Sequence, residues 1–145
     1  MRWNLNQSLS GSGLKREEFD LVNSRFLADG INKDRWPGLV EDCWELLVPG
    51  GWLQMVEPVW AFQSAFGQNL PCLEAWWNYY AHAHTREQMG KNLRVGRILS
   101  GFMANARADK SWQNITAYAR DVPAAGWKDG MSDYAHISSV STTRS

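Results

Sequence analysis

The chain has 145 residues, 44% of them hydrophobic, and its 15 Lys and Arg balance its 15 Asp and Glu. That length suits about one domain with a real core, and zero net charge removes the electrostatic reason to propose nucleic acid or an anionic membrane as a partner. Cys43 and Cys72 are too few for a disulfide framework or a metal cluster, no run approaches the roughly 18 apolar residues of a spanning helix, and the polar stretch Met1–Gly13 is no signal peptide, so the expected location is intracellular, in cytoplasm or nucleus.

In chain order, residues 1–18 form a polar leader loop centred on Ser8-Leu9-Ser10-Gly11-Ser12-Gly13. Gly11-Ser12-Gly13 follows no strand and reads as linker, not as a phosphate or cofactor turn. Phe19–Phe26, with Leu21, Val22 and Phe26, suits a buried strand. Ala28–Arg35 is rich in turn residues. Asp34 is placed to cap the next helix, and Pro37 falls in its first turn, where a missing N–H is tolerated. Leu39, Val40, Cys43, Trp44, Leu46 and Leu47 recur at helical spacing, with Glu41, Asp42 and Glu45 on the polar side. Pro49-Gly50-Gly51 stops the helix, and Trp52–Glu57 is a second strand. Strand, helix and strand make one βαβ unit, in which parallel strands need a crossover helix.

Beyond this unit, Val59–Leu73 reads as a loop, and Leu73 to about His84 as a helix carrying the aromatic cluster Trp76, Trp77, Tyr79 and Tyr80. His82 and His84 are two apart and point to different helical faces, so they are not a metal pair. Arg86–Arg94 reads as a loop, and Val95–Ala106 as a helix with Val95, Ile98, Leu99, Phe102 and Met103 on one face. Trp112–Val122 is a further helical candidate, Ser132–Val140 a candidate strand, and Ser138–Ser145 a frayed polar tail. No nucleophile, metal or acid/base constellation is visible, so no catalytic residue is assigned.

Three motifs in a fixed order carry a resemblance. Phe19-Asp20-Leu21-Val22-Asn23-Ser24-Arg25, then Trp36-Pro37, then Leu47-Val48-Pro49-Gly50-Gly51-Trp52-Leu53-Gln54-Met55-Val56-Glu57 resemble the middle of class I S-adenosylmethionine-dependent methyltransferases. The likeness is to the fungal branch linked to secondary-metabolite biosynthesis and its regulation. Ala125-Gly126-Trp127 resembles the turn before that family's sixth strand. The fold so implied is α/β, a partial doubly wound (Rossmann-like) methyltransferase sheet with C-terminal helices, spanning residues 19–137 between the leader and a tail at 138–145.

The resemblance also implies a cofactor and sites. Asn23 and Ser24 would face S-adenosylmethionine, with Arg25 ordering the loop. Read without the family, Asn23 and Ser24 end the strand and Arg25 pairs with a carboxylate such as Asp29. Trp76, Trp77 and Tyr80 would line a small-molecule acceptor site, or else pack their helix onto the sheet. Glu57 would anchor a loop or border the substrate space. The family's first strand, its glycine-rich turn and its ribose-binding acidic residue have no counterpart here. The expectation is therefore a fragment lacking the N-terminal cofactor-binding half and inactive on its own. Its first strand would offer a bare edge for self-association or for a protein partner such as a complete methyltransferase.

Overall fold

The computed structural model describes residues 2–63, 70–85, 90–105, 111–123 and 134–144. Among them, β1 (Phe19–Arg25), β2 (Leu47–Gln63), β3 (Trp112–Pro123) and β4 (Tyr134–Arg144) form one sheet in the order β1-β2-β4-β3. The helices are α1 (Trp36–Leu46), α2 (Pro71–Thr85) and α3 (Leu99–Ala104), with short 3-10 turns at Leu9–Gly11, Lys33–Arg35 and Val95–Arg97. β1 and β2 are parallel, and the β2–β4 and β3–β4 pairs are antiparallel.

The βαβ unit forms as its sequence requires. Pro37 lies in the first turn of α1, and Trp36, Leu39, Val40, Cys43 and Leu46 are buried on one face. Asp34 does not cap this helix. It belongs to the 3-10 turn before it, and Arg35 occupies the position preceding α1 with no side-chain cap. Pro49-Gly50-Gly51 ends the helical path but stays within β2 as an irregularity. Phe19 aligns with Leu47, whereas Leu21 aligns with Trp52. Gly50 has φ +81, and a Cβ on Gly51 would sit 2.9 Å from the Val48 carbonyl oxygen and 3.2 Å from that of Phe19. Only glycine lets the two strands approach here.

Alternation along the strands then sorts the side chains. Leu53, Met55 and Val140 join α1, α3 and Trp77 of α2 in one core, and Val59 is also buried. The opposite face of the sheet carries Leu21, Trp52 and Tyr118, all exposed. Strand β2 runs to Gln63, through the start of the stretch expected to be loop, and α2 begins at Pro71. The helix expected over Val95–Ala106 is a 3-10 turn followed by α3.

The C-terminal third corrects the sequence reading most. Trp112–Pro123 is strand β3, not a helix. Asn114 has φ +54, and the pairing slips between Gln113 and Thr116. That bulge breaks the period of two that marks a strand in sequence. Ser138 to Arg144 is not a frayed tail but the end of β4, hydrogen-bonded to β2 on one side and β3 on the other. Thr142, Thr143 and Arg144 are buried. The hydroxyls of Thr142 and Thr143 donate to the Gln113 carbonyl at 2.7 and 3.0 Å. The polar sequence is thus satisfied inside the sheet rather than by water. The Ala125-Gly126-Trp127 motif lies outside the described residues.

The leader is docked on α1. The Asp42 carboxylate accepts from the Leu9 N–H at 2.9 Å and the Ser8 hydroxyl at 3.2 Å, and it pairs with Arg35. Arg35 in turn donates to the carbonyls of Leu5 and Gln7, each at 3.0 Å. Asp42 is therefore a partly buried clamp that holds the leader.

Candidate functional site

The parallel pair β1–β2 directs its carboxyl ends to one side, where open α/β sheets hold ligands. Asn23, Ser24 and Arg25 occupy that end of β1. The cross-strand register sets Asn23 beside Gln54, and the Asn23 amide donates to Gln54 Oε1 at 2.6 Å. Arg25 Nε donates to Asn23 Oδ1 at 3.2 Å. Ser24 alternates to the inner face, where its buried Oγ has no hydrogen-bond partner.

The loop after β1 is held by one side chain of β2. Glu57 is fully buried, and its two carboxylate oxygens accept the N–H groups of Leu27 at 2.8 Å and Ala28 at 3.0 Å. Phe26, at φ +55, opens the loop and donates its N–H to Val56 at 2.9 Å. Glu57 is thus a loop anchor. Burial pushes its carboxyl above the ordinary range, against the lowering effect of the two backbone donors, and Asp29 adds to the rise. The folded chain holds this proton to higher pH than the unfolded chain does. The associated stabilisation is complete below the unfolded value of about 4.3 and is lost as pH rises through the raised folded value. Denaturant melts across that window should show stability falling with pH in the parent. Glu57→Gln should flatten this dependence, and an equal slope in both proteins would contradict the assignment.

The α2 aromatics divide between two environments. Trp77 is 6% exposed and belongs to the core, whereas Trp76 is 54% exposed. Tyr80 lies between them, stacked on Trp76 with ring centroids 5.4 Å apart and tilted against Trp77 at 5.8 Å. Burial raises the Tyr80 hydroxyl pKa, with Asp29 adding to it. Asp29 therefore lies within electrostatic reach of both Glu57 and Tyr80. His82 is exposed, and the His84 side chain lies outside the described residues.

A groove of about 470 Å³ runs beside β1, and Asn23, Ser24 and Arg25 line it. Its other walls are Leu5, Leu9, Leu14, Phe19, Leu21, Val22, Leu27, Leu39, Cys43, Leu46 and Met55. S-adenosylmethionine combines a sulfonium cation, an amino-acid end, a ribose and an adenine. Among the described residues that line this groove, the charged side chain is Arg25, of the same sign as the sulfonium. The Asn23 amide is already engaged by Gln54. With no carboxylate for the ribose hydroxyls, these residues do not fit the cofactor. Among the described residues, no three His, Cys, Asp or Glu side chains group as metal ligands. Cys43 is buried and its thiol is pushed up to about 12, so it is an inert core residue. No described helix is long and apolar enough to cross a membrane.

No protein-family model matches the chain. In sequence it is 40% identical over 112 residues to "Methyltransferase pytC" of Aspergillus terreus, covering 77% of this chain and 33% of that protein. The chain thus spans about a third of the length of the curated relative it matches. In structure it is similar to a SAM-dependent methyltransferase of Methanosarcina mazei, with TM-score 0.56 and 14% identity over 94% of this chain and 64% of that one. An O-methyltransferase family protein of Burkholderia thailandensis gives TM-score 0.54 and 14% identity over 100% of this chain and 35% of the other. At such identities the structural likeness speaks to the fold. Together with the fungal sequence relative and the three motifs on β1, α1 and β2, it makes the chain similar to class I S-adenosylmethionine-dependent methyltransferases and gives it their α/β fold.

Proposed function

We propose that this chain supplies the acceptor side of a methyltransferase that modifies a small molecule in fungal secondary metabolism, and that alone it transfers no methyl group. The supporting observation is the sheet order. A parallel β1–α1–β2 unit is followed by an antiparallel pair with β4 lodged between β2 and β3. The Trp76–Tyr80 stack on α2 offers a flat aromatic surface for an apolar acceptor. In this reading S-adenosylmethionine is held by parts this chain does not contribute, and the protein works in the cytoplasm or nucleus. Methyl transfer depends on aligning donor and acceptor within a closed pocket, and a chain offering only one wall cannot impose that alignment.

A graft tests the reading. The stretch of the Aspergillus terreus methyltransferase that matches this chain would be replaced by the corresponding residues of this chain. S-adenosylhomocysteine binding by the chimera would then be measured. Retained binding is expected. A chimera that folds, judged by a cooperative melt, yet has lost binding would sink the proposal. A second reading, that the chain is a non-catalytic binding or regulatory partner of a complete methyltransferase, draws on the free edge of β1.

A further inference from the structure

We propose that the pocket between α2 and the turn at Asn92–Arg94 binds a small organic carboxylate. The inference goes beyond the methyltransferase reading and does not depend on it. The pocket has a volume of about 380 Å³, in the size range of small-molecule sites. It is lined by Asn78, Ala81 and His82 of α2 and by Asn92, Leu93 and Arg94. Each residue of a helix turns about 100° from the last. Asn78 and His82, four apart, therefore share a face. That face lies on the flank of α2 away from the Trp76–Tyr80 stack, so the pocket is distinct from the aromatic surface.

Both walls are fixed from behind. Trp77 and Ala81 are buried and seat α2 on the core. In the other wall Leu93 and Val95 are fully buried. A Cβ on Gly96 would sit 2.9 Å from Val59 Cγ2 and 3.1 Å from the Glu57 carbonyl oxygen, so this segment lies directly against β2. The turn is closed by the Arg94 N–H donating to Asn92 Oδ1 at 3.1 Å and the Val95 N–H donating to the Asn92 carbonyl at 3.2 Å. With its neighbours Leu93 and Val95 turned inward, Arg94 is exposed and lines the pocket. A wall held in this way loses little freedom when a ligand binds.

The lining selects the ligand. Among the described residues it holds a guanidinium, an imidazole and two amides, and no carboxylate. No ion pair among the described residues engages Arg94. The neighbouring cation is committed elsewhere, because Lys91 Nζ donates to the Gly30 carbonyl and to Asn32 Oδ1, each at 2.8 Å. Asn92 Oδ1 is taken by the turn, which leaves the NH2 of that amide to donate. A guanidinium presents a planar fork of donors that matches the two oxygens of a carboxylate. Ala81 and Leu93 give the ligand's carbon body an apolar floor.

Benzoate is the probe. Titrated into the isotope-labelled protein, it should move the side-chain amide resonances of Asn78 and Asn92 along a curve that saturates in the millimolar range. Benzamide, of the same shape without the charge, should not. Arg94 is exposed, so Arg94→Gln should leave the thermal melt unchanged. It should weaken benzoate about tenfold or more, as for a lost charge-assisted hydrogen bond, and Arg94→Lys should fall between. Inorganic phosphate should bind more weakly than benzoate, because it leaves the apolar floor empty. Absence of saturation, equal binding of benzamide, tighter binding of phosphate, or benzoate affinity unchanged in Arg94→Gln would each overturn the proposal. Benzoate binding that appears only in Glu87→Gln would assign the pocket to the chain's own carboxylate and overturn it as well.

Discussion

Replacing Trp77 with alanine should lower the unfolding free energy by about 3–5 kcal/mol, as for large aromatics removed from cores. Replacing Trp76, its neighbour in sequence, should lower it by less than about 1 kcal/mol, as for surface substitutions with few partners. The two residues differ in environment rather than chemistry, with Trp77 6% and Trp76 54% exposed. Removing Trp77 opens a cavity against the sheet and strips Tyr80 of its tilted ring contact. Removing Trp76 loses only the exposed stack on Tyr80. Denaturant melts of both variants separate the cases. Equal costs would contradict the placement of α2, and a small cost at Trp77 would move that residue from the core to an open wall.

Deleting residues 138–145 should abolish the cooperative unfolding transition. β4 lies between β2 and β3, and among the described residues it is the strand to which β3 is paired. The deletion therefore strands both neighbours, exposing paired backbone on each side and removing the core residue Val140. A single substitution reaches the same region more gently. The Arg144 guanidinium donates to the Leu47 carbonyl, lies 2.7 Å from Glu17 Oε1 and sits 3.7 Å above the Trp44 ring. Arg144→Ala leaves that carbonyl unpaired, at about 1–3 kcal/mol. It also removes a cation–π contact worth about 0.5–2 kcal/mol. Circular-dichroism melts decide both variants. A 138–145 deletion with the parent's midpoint would restore the reading of this segment as a frayed tail.

Sequence patterns exposed some of this fold and hid the rest for physical reasons. β1, α1 and β2 were legible because Leu39, Val40, Cys43 and Leu46 recur at helical spacing and Pro49-Gly50-Gly51 interrupts the run. β3 was not, because the bulge at Asn114 shifts its alternation by one residue partway along. β4 was legible in part, as the candidate strand Ser132–Val140, but its end was not, because Thr142 and Thr143 are buried through strands paired on both sides, a property of neighbours and not of the segment. At the site, the position of Asn23, Ser24 and Arg25 at a strand's carboxyl end was legible. The Asn23–Gln54 bond was not, since its register is set by the slip at the start of β1. The existence of α2 was legible, but adjacent residues on a helix point about 100° apart. Which of Trp76 and Trp77 turns inward depends on how the helix docks.

The proposal that this chain, with its methyltransferase fold, does not bind the cofactor on its own is tested most directly by calorimetric titration with S-adenosylhomocysteine. A cofactor pocket of micromolar affinity is about 8 kcal/mol deep. Charge-assisted hydrogen bonds to the ribose and the amino-acid end contribute about 1.5–3 kcal/mol each, and among the described residues the groove beside β1 offers no carboxylate to make them. Losing three or four such contacts, about 5 kcal/mol or more, leaves affinity at millimolar or weaker. The expected result is no saturable heat below that range. Saturable binding tighter than about 50 μM, roughly −6 kcal/mol on the same scale, would contradict the account.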